Sequence, residues 1–238
     1  MSGWKSKRFW TDATVRPAEG GWGVWLDARQ VRTPAKAPLI VPTEALARAI
    51  VAEWQAQVGV IDPLSMPMTR AANAAIDKVT PQFAEVADLI AAYGASDLLC
   101  YRAEAPEALA ERQAAAWEPI LDWAETRFAA PLRRTRGVVP IVQPTESLAA
   151  LSREVHAQSP FTLTALHEFV GISGSLLLGL AVLHGRLSPD EAWTSSRIDE
   201  DWQAELWGAD EEAQAAAAKK AVDFKSAHNF LKLLDASA

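Results

Sequence analysis

The densest run of chemistry-bearing side chains lies near the C-terminus. Arg197-Ile198-Asp199-Glu200-Asp201-Trp202-Gln203-Ala204-Glu205-Leu206-Trp207-Gly208 holds four carboxylates, one base and two tryptophans. Read as a helix, it puts Glu200, Gln203 and Trp207 on one face, at offsets of zero, three and seven. Ile198, Trp202 and Leu206 recur at four-residue steps and are expected to face the core. Asp201 and Glu205 stand one turn apart, and like charges so placed oppose each other by roughly a few tenths of a kcal/mol. A second molecule bringing Arg or Lys would relieve that repulsion. The same carboxylates could equally form a solvated face; the acid pair of a glycosidase or metal site is the weaker reading, because no other feature of such a site accompanies it.

Elsewhere each catalytic pattern breaks off. A zinc hydrolase helix needs two histidines one turn apart with a glutamate between. His167-Glu168 is followed by Gly171 where the second histidine should stand. His156, His184 and His228 are scattered and read as hydrogen-bonded core or surface residues. Gly171-Ile172-Ser173-Gly174-Ser175 approaches a nucleophile elbow, which needs glycine two positions either side of serine, between a strand and a helix. Here Ser175 replaces the second glycine and the stretch reads helical. No phosphate loop or dinucleotide fingerprint occurs. Cys100 is the single cysteine, so an internal disulfide and a cysteine-rich zinc site are excluded. Its apolar neighbours Leu98 and Leu99 make it a buried, inert thiol. No catalytic residue, metal ligand or cofactor is assigned.

Those side chains must be carried by a folded chain. Half of the 238 residues are hydrophobic, which excludes the disordered class. Formal net charge is −7, and the one dense basic patch is Arg133, Arg134 and Arg136. Nucleic-acid binding rests on a basic stripe that neutralises phosphates, so no nucleic-acid partner is expected and the patch reads as a solvated loop. The uncharged run Phe169 to Gly185 is short for a membrane span and contains four glycines and His184. It reads as a buried helix, with Gly171, Ser175 and Gly179 as a small-residue stripe that another helix can approach. The basic N-terminus has no apolar segment behind it and is no secretory signal. The chain reads as bacterial and cytoplasmic, or as a processed organellar form.

Strand signals come first. Arg8–Arg16, Trp22–Leu26, Gln30–Thr33 and Leu39–Val41 alternate between turn residues, which predicts an antiparallel meander. From Thr43 the period becomes helical, with Thr43 as N-cap and Glu44 in the first turn. Helices are expected over residues 69–79, 81–94, 106–128, 145–157, 162–184, 188–207 and 210–234. Pro119 should kink or divide the fourth of these eight helices, counting the one from Thr43 as the first. Ser188-Pro189-Asp190-Glu191 is a capping-box start. Asp97–Arg102 could be strand or helix, and Val138–Val142 reads as β. The fold class is α+β: a small antiparallel β-rich N-terminal domain, residues 1–62, then a larger all-α C-terminal domain, residues 63–238.

A set of short motifs then carries a resemblance. They are Lys7-Arg8-Phe9-Trp10, Gly23-Val24-Trp25-Leu26-Asp27, Thr33-Pro34-Ala35, Glu53-Trp54-Gln55-Ala56-Gln57, Ile61-Asp62-Pro63, Met66-Pro67-Met68-Thr69-Arg70, Asp97-Leu98-Leu99-Cys100-Tyr101-Arg102, Arg112-Gln113, and Arg197 to Gln203 with Trp207-Gly208. In order and spacing the chain resembles the assembly chaperones of the F-type ATP synthase, those acting on the α subunit of the catalytic head. Ala28 departs from the glycine frequent there, which touches only a turn. The resemblance implies a two-part fold and a non-enzymatic role: transient binding of the free α subunit, shielding its interface until the β subunit replaces it. It also implies partner-binding roles for Asp199, Glu200, Asp201, Gln203 and Trp207. A monomer without membrane insertion is expected, because the role needs an exposed surface. No site is carried onto the alanine-rich stretch after Gly208. The alternatives are a hydrolase using the Glu200/Asp201 carboxylates, or a structural subunit of a stable complex.

Overall fold

A computed structural model describes residues 7–208 and 210–235. Within them the chain forms two compact units. The first comprises residues 7–83, 160–165 and 229–235; the second comprises Ala84–Ser159 and Leu166–His228. The boundary expected after residue 62 lies inside the first stretch of the first unit.

The first unit opens with a small antiparallel sheet, as the alternation predicts. Strand β1 (Ala13–Ala18) pairs along its whole length with β2 (Gly21–Leu26). On its other side β2 pairs with β3 (Arg29–Gln30) through Trp25 and Leu26, and with β4 (Ile40–Val41) through Trp22 and Gly23. The sheet is therefore centred on β2, whose Val24 and Leu26 are buried. Gly21 is required there: a Cβ would lie 2.3 Å from the Val41 carbonyl oxygen. β1 starts later than expected. Arg8 lies before it, where its guanidinium donates to the carbonyls of Trp10, Thr11, Gln55 and Gln57.

Helix α1 (Glu44–Gln55) begins as predicted, with the Thr43 hydroxyl accepting from the Leu46 N–H. A 3-10 turn at Pro63–Ser65 precedes α2 (Pro67–Ala74), which runs into a π-helical turn at Ala75–Val79. The first turn of α2 is held by one carboxylate: Glu53 accepts from the Met68 and Thr69 N–H groups and the Thr69 hydroxyl, at 2.7–2.8 Å. Phe161 and Phe230 stack within the same unit, 6.3 Å between centroids.

The second unit is helical. It holds α3 (Phe83–Ala91) but for Phe83, α4 (Glu107–Phe128), α5 (Thr145–His156), most of α6 (Pro160–Ser173), α7 (Leu176–Leu183), α8 (Pro189–Ser196), α9 (Ile198–Trp207), and α10 (Glu211–Leu233) as far as His228. The α+β class stands. Residues 98–102 take both expected forms, a 3-10 turn and then β5 (Tyr101–Arg102), parallel to β6 (Thr135–Arg136). Val138–Val142 is not a strand. Val138, Val139 and Val142 are exposed, so no neighbouring surface rewards an extended pairing there.

Two long helices expected from periodicity are divided, while the one with an internal proline is not. α4 runs unbroken through Pro119. The 162–184 segment splits at Gly174, whose φ of 73° is left-handed, and Ser175 caps α7 by accepting from Leu178. The Gly171–Ser175–Gly179 stripe is thereby broken. Only Gly179 meets a close neighbour, since a Cβ there would stand 2.8 Å from Val170 Cγ2. At the same junction, wholly buried Asp97 accepts from the Leu99 and Leu177 N–H groups and the Ser175 hydroxyl. Burial pushes its carboxyl up, and those donors pull it back. The 188–207 segment breaks at Arg197, which separates α8 from α9. The α8 start has the full capping box between Ser188 and Glu191. Among the described residues no helix is long and apolar enough to cross a membrane.

Candidate functional site

The residues of the incomplete catalytic patterns are tied into the fold. The Ser173 hydroxyl donates to the Phe169 carbonyl and is buried, so it is neither accessible nor paired with a base. His156 bonds Asp88 and His184 bonds Glu154. Cys100 is buried, and its thiol is pushed up to about 12 by burial. The basic patch is occupied: Arg134 pairs with Glu118 and Asp122, Arg136 with Glu107, and Arg133 donates to the Val142 carbonyl. Among the described residues no three metal-ligating side chains gather.

The acidic run forms α9, and its orientation follows from α4. Buried Gln113 donates through Nε2 to Asp199 and accepts from the Ala103 N–H. Nearly two turns of α9 further on, Arg112 grips Glu205 with Nη1, 2.8 and 2.9 Å from the two carboxylate oxygens. This hydrogen bond holds the Glu205 carboxyl below its ordinary 4.5 and raises Arg112. Trp117 of α4 donates its indole N–H to the Ser195 carbonyl, fixing the end of α8. The Arg112-Gln113 and acidic motifs, read as separate features in the sequence, are thus two halves of one contact.

The seated face of α9 is therefore rotated from the expected one. Ile198 is 5 % exposed and Trp202 is half-buried, as predicted, but Leu206 is 57 % exposed. The docked residues are 198, 199, 202 and 205. Periodicity assumed that leucine turns inward and carboxylates outward. Here Gln113 and Arg112 draw Asp199 and Glu205 toward α4, and that rotation leaves Leu206 outside. The opposition expected between Asp201 and Glu205 is relieved within the molecule, because Glu205 has its own guanidinium.

The remaining face borders a groove of about 520 Å³ between α9 and the first half of α10. Glu200, Asp201, Gln203 and Trp207 line one side, and Ala213, Ala217 and Ala221 line the other. Glu200, Gln203 and Trp207 do share a face, as their spacing predicts. Asp199 lies outside the groove lining, tied to Gln113. Arg197 reaches Glu200 at 3.2 Å and Asp201 at 3.8 Å, longer single contacts than the paired ones Arg112 makes to Glu205. Trp207 is 78 % exposed, and no other tryptophan among the described residues is classed as exposed. Sequence reasoning missed the alanine wall, which composition presents only as good helix former.

The described residues thus form a unit built on a small sheet, a helical unit, and an open groove beside α9 with an acidic, aromatic wall. The comparisons name the class. Residues 7–125 match the family model for the ATP12 chaperone protein. Two solved structures of Paracoccus denitrificans Atp12, one of them an aspartate-to-lysine mutant, superpose with a TM-score of 0.95 at 52 % identity, covering 98 % of this chain and 100 % of theirs. A protein of Agrobacterium tumefaciens described as a candidate chaperone gives 0.92 at 42 % identity, over 96 % of this chain and 86 % of its own. "Protein atp12, mitochondrial" of Schizosaccharomyces pombe is 23 % identical over 87 % of this chain and 75 % of its own length. The chain belongs to the ATP12 chaperone family and is an ATP synthase assembly chaperone.

Proposed function

We propose that the subunit it holds is the free α subunit of the catalytic head, kept until the β subunit takes its place. The observation that carries the site is Trp207, strongly exposed at the end of a helix whose free face is acidic. Aromatic anchors beside complementary charge are what a protein-binding surface needs. Glu200, Asp201 and Gln203 meet basic and polar groups of the client, and Trp207 seats on its apolar surface. Asp199 contributes at the edge of the site, its carboxylate engaged by Gln113. Free ring subunits expose interfaces that aggregate, and covering one needs no nucleotide. The chaperone acts as a monomer. Its bacterial relatives support a cytoplasmic setting, and the fission yeast relative supports the mitochondrial matrix for organellar members.

The test is charge reversal. The double variant Glu200→Lys, Asp201→Lys should fold like wild type, because both side chains are about half exposed. It should capture isolated α subunit at least about tenfold more weakly, the loss expected for reversed charge at a binding surface. Capture equal to wild type in a pull-down or titration removes these residues from the site.

A further inference from the structure

A second groove lies wholly within the first unit, and nothing above uses it. Its volume is about 520 Å³. Trp54, Ile61 and Met66 supply an apolar floor, and Arg32, Arg70 and Lys78 stand around it. Four of the motifs that carried the resemblance meet here, those around Thr33-Pro34, Trp54, Ile61 to Pro63, and Met66 to Arg70. In sequence they are separate. A packing role explains Met66 and Thr69, which are buried, but not Arg70, which is exposed.

The groove's charge is unusual for this molecule. The chain carries −7, yet none of Arg32, Arg70 and Lys78 has an ion pair among the described residues. Asp77 is the one acid in the lining, and its Oδ2 already accepts the Ala35 N–H. Three polar atoms at the lining residues, Trp54 Nε1, Asn73 Oδ1 and Asp77 Oδ1, are buried without a protein partner among the described residues. Buried polar groups are normally satisfied.

We infer that this groove is a second client-binding site, which takes a carboxylate-bearing, apolar segment of the ATP synthase subunit that the chaperone holds. An apolar side chain of that segment rests on Trp54 and Met66, while its carboxylates meet Arg70, Lys78 and Arg32. A phosphate ligand fits less well. The first turn of α2 is the natural anion cradle at this groove, and the Glu53 carboxylate already fills it. What remains is cationic side chains spaced along an open rim, which suits charges spaced along a polypeptide. The inference rests on the chaperone reading, but not on α being the client.

Two measurements test it with full-length protein. Isolated α and β subunits are offered separately to wild type, to Arg70→Glu with Lys78→Glu, and to the α9 double reversal. The groove variant should bind the captured subunit about tenfold more weakly, with unchanged circular dichroism. In parallel, a benzoylphenylalanine photo-crosslinker replaces Ala74, which lines the groove. It should join an acidic, apolar stretch of that subunit, identified by mass spectrometry. Full capture by the groove variant overturns the inference while leaving the α9 site standing. So do crosslinks absent, confined to a second copy of the chaperone, or made to a basic stretch. If the groove variant misfolds, the crosslink alone decides. Capture of β in place of α refutes the α assignment and leaves the groove to be judged on β. Capture of neither refutes both.

Discussion

Arg112 is the side chain on which the candidate site turns, although it lies 93 residues from its partner Glu205. The pair has a definite pH signature. The folded carboxyl is held below the ordinary 4.5, so the contact stabilises the native state above that value and is lost as pH falls through the lowered one. Thermal melts of wild type and Arg112→Ala should differ near neutral pH and converge in acid. A constant difference across the range would mean that Arg112 acts through packing alone. Arg112 was legible as part of a motif, but its partner was not. A helix periodicity ranks side chains by polarity, and cannot show that a carboxylate faces inward because a distant guanidinium waits there.

At the scale of elements, caps and amphipathic stripes were legible and junctions less so. Thr43 and Ser188 start helices where they stand in the sequence, because a side-chain oxygen three residues before an N–H needs no tertiary help. Gly174 and Arg197, by contrast, break helices within runs that periodicity alone reads as continuous. The glycine stripe makes this measurable. Gly179 lies against Val170 and Leu166, whereas Gly171 has nothing within 4 Å of a built Cβ. Gly179→Leu should therefore destabilise by about 2 kcal/mol through overpacking. Gly171→Ala should stabilise by about 0.5 kcal/mol, because alanine loses less chain entropy in a helix. Urea unfolding of the two variants measures both signs; equal effects would mean the two glycines play one role.

Across the whole molecule, charge is segregated between two grooves. The groove in the sheet unit is lined by three cations and one acid, and the one beside α9 by Glu200, Asp201 and Asp210 against Arg197. Contacts made by such exposed groups are screened once the Debye length shrinks below the spacing of the charges. Capture of the client should weaken steadily between about 0.05 M and about 0.5 M salt, while the residual binding reports the apolar share around Trp207 and Trp54. Salt-independent capture would assign recognition to apolar contact alone. The α+β class, the position of the sheet, most helix starts and the family were all readable from residue types and their order, because these rest on local periodicity, capping chemistry and motif spacing. Tertiary structure alone decided which way α9 turns, that the alanines of α10 wall its groove, and that four dispersed motifs close around one cationic cleft. Those outcomes depend on side chains that meet only after folding brings distant segments together, and no local pattern encodes such a meeting.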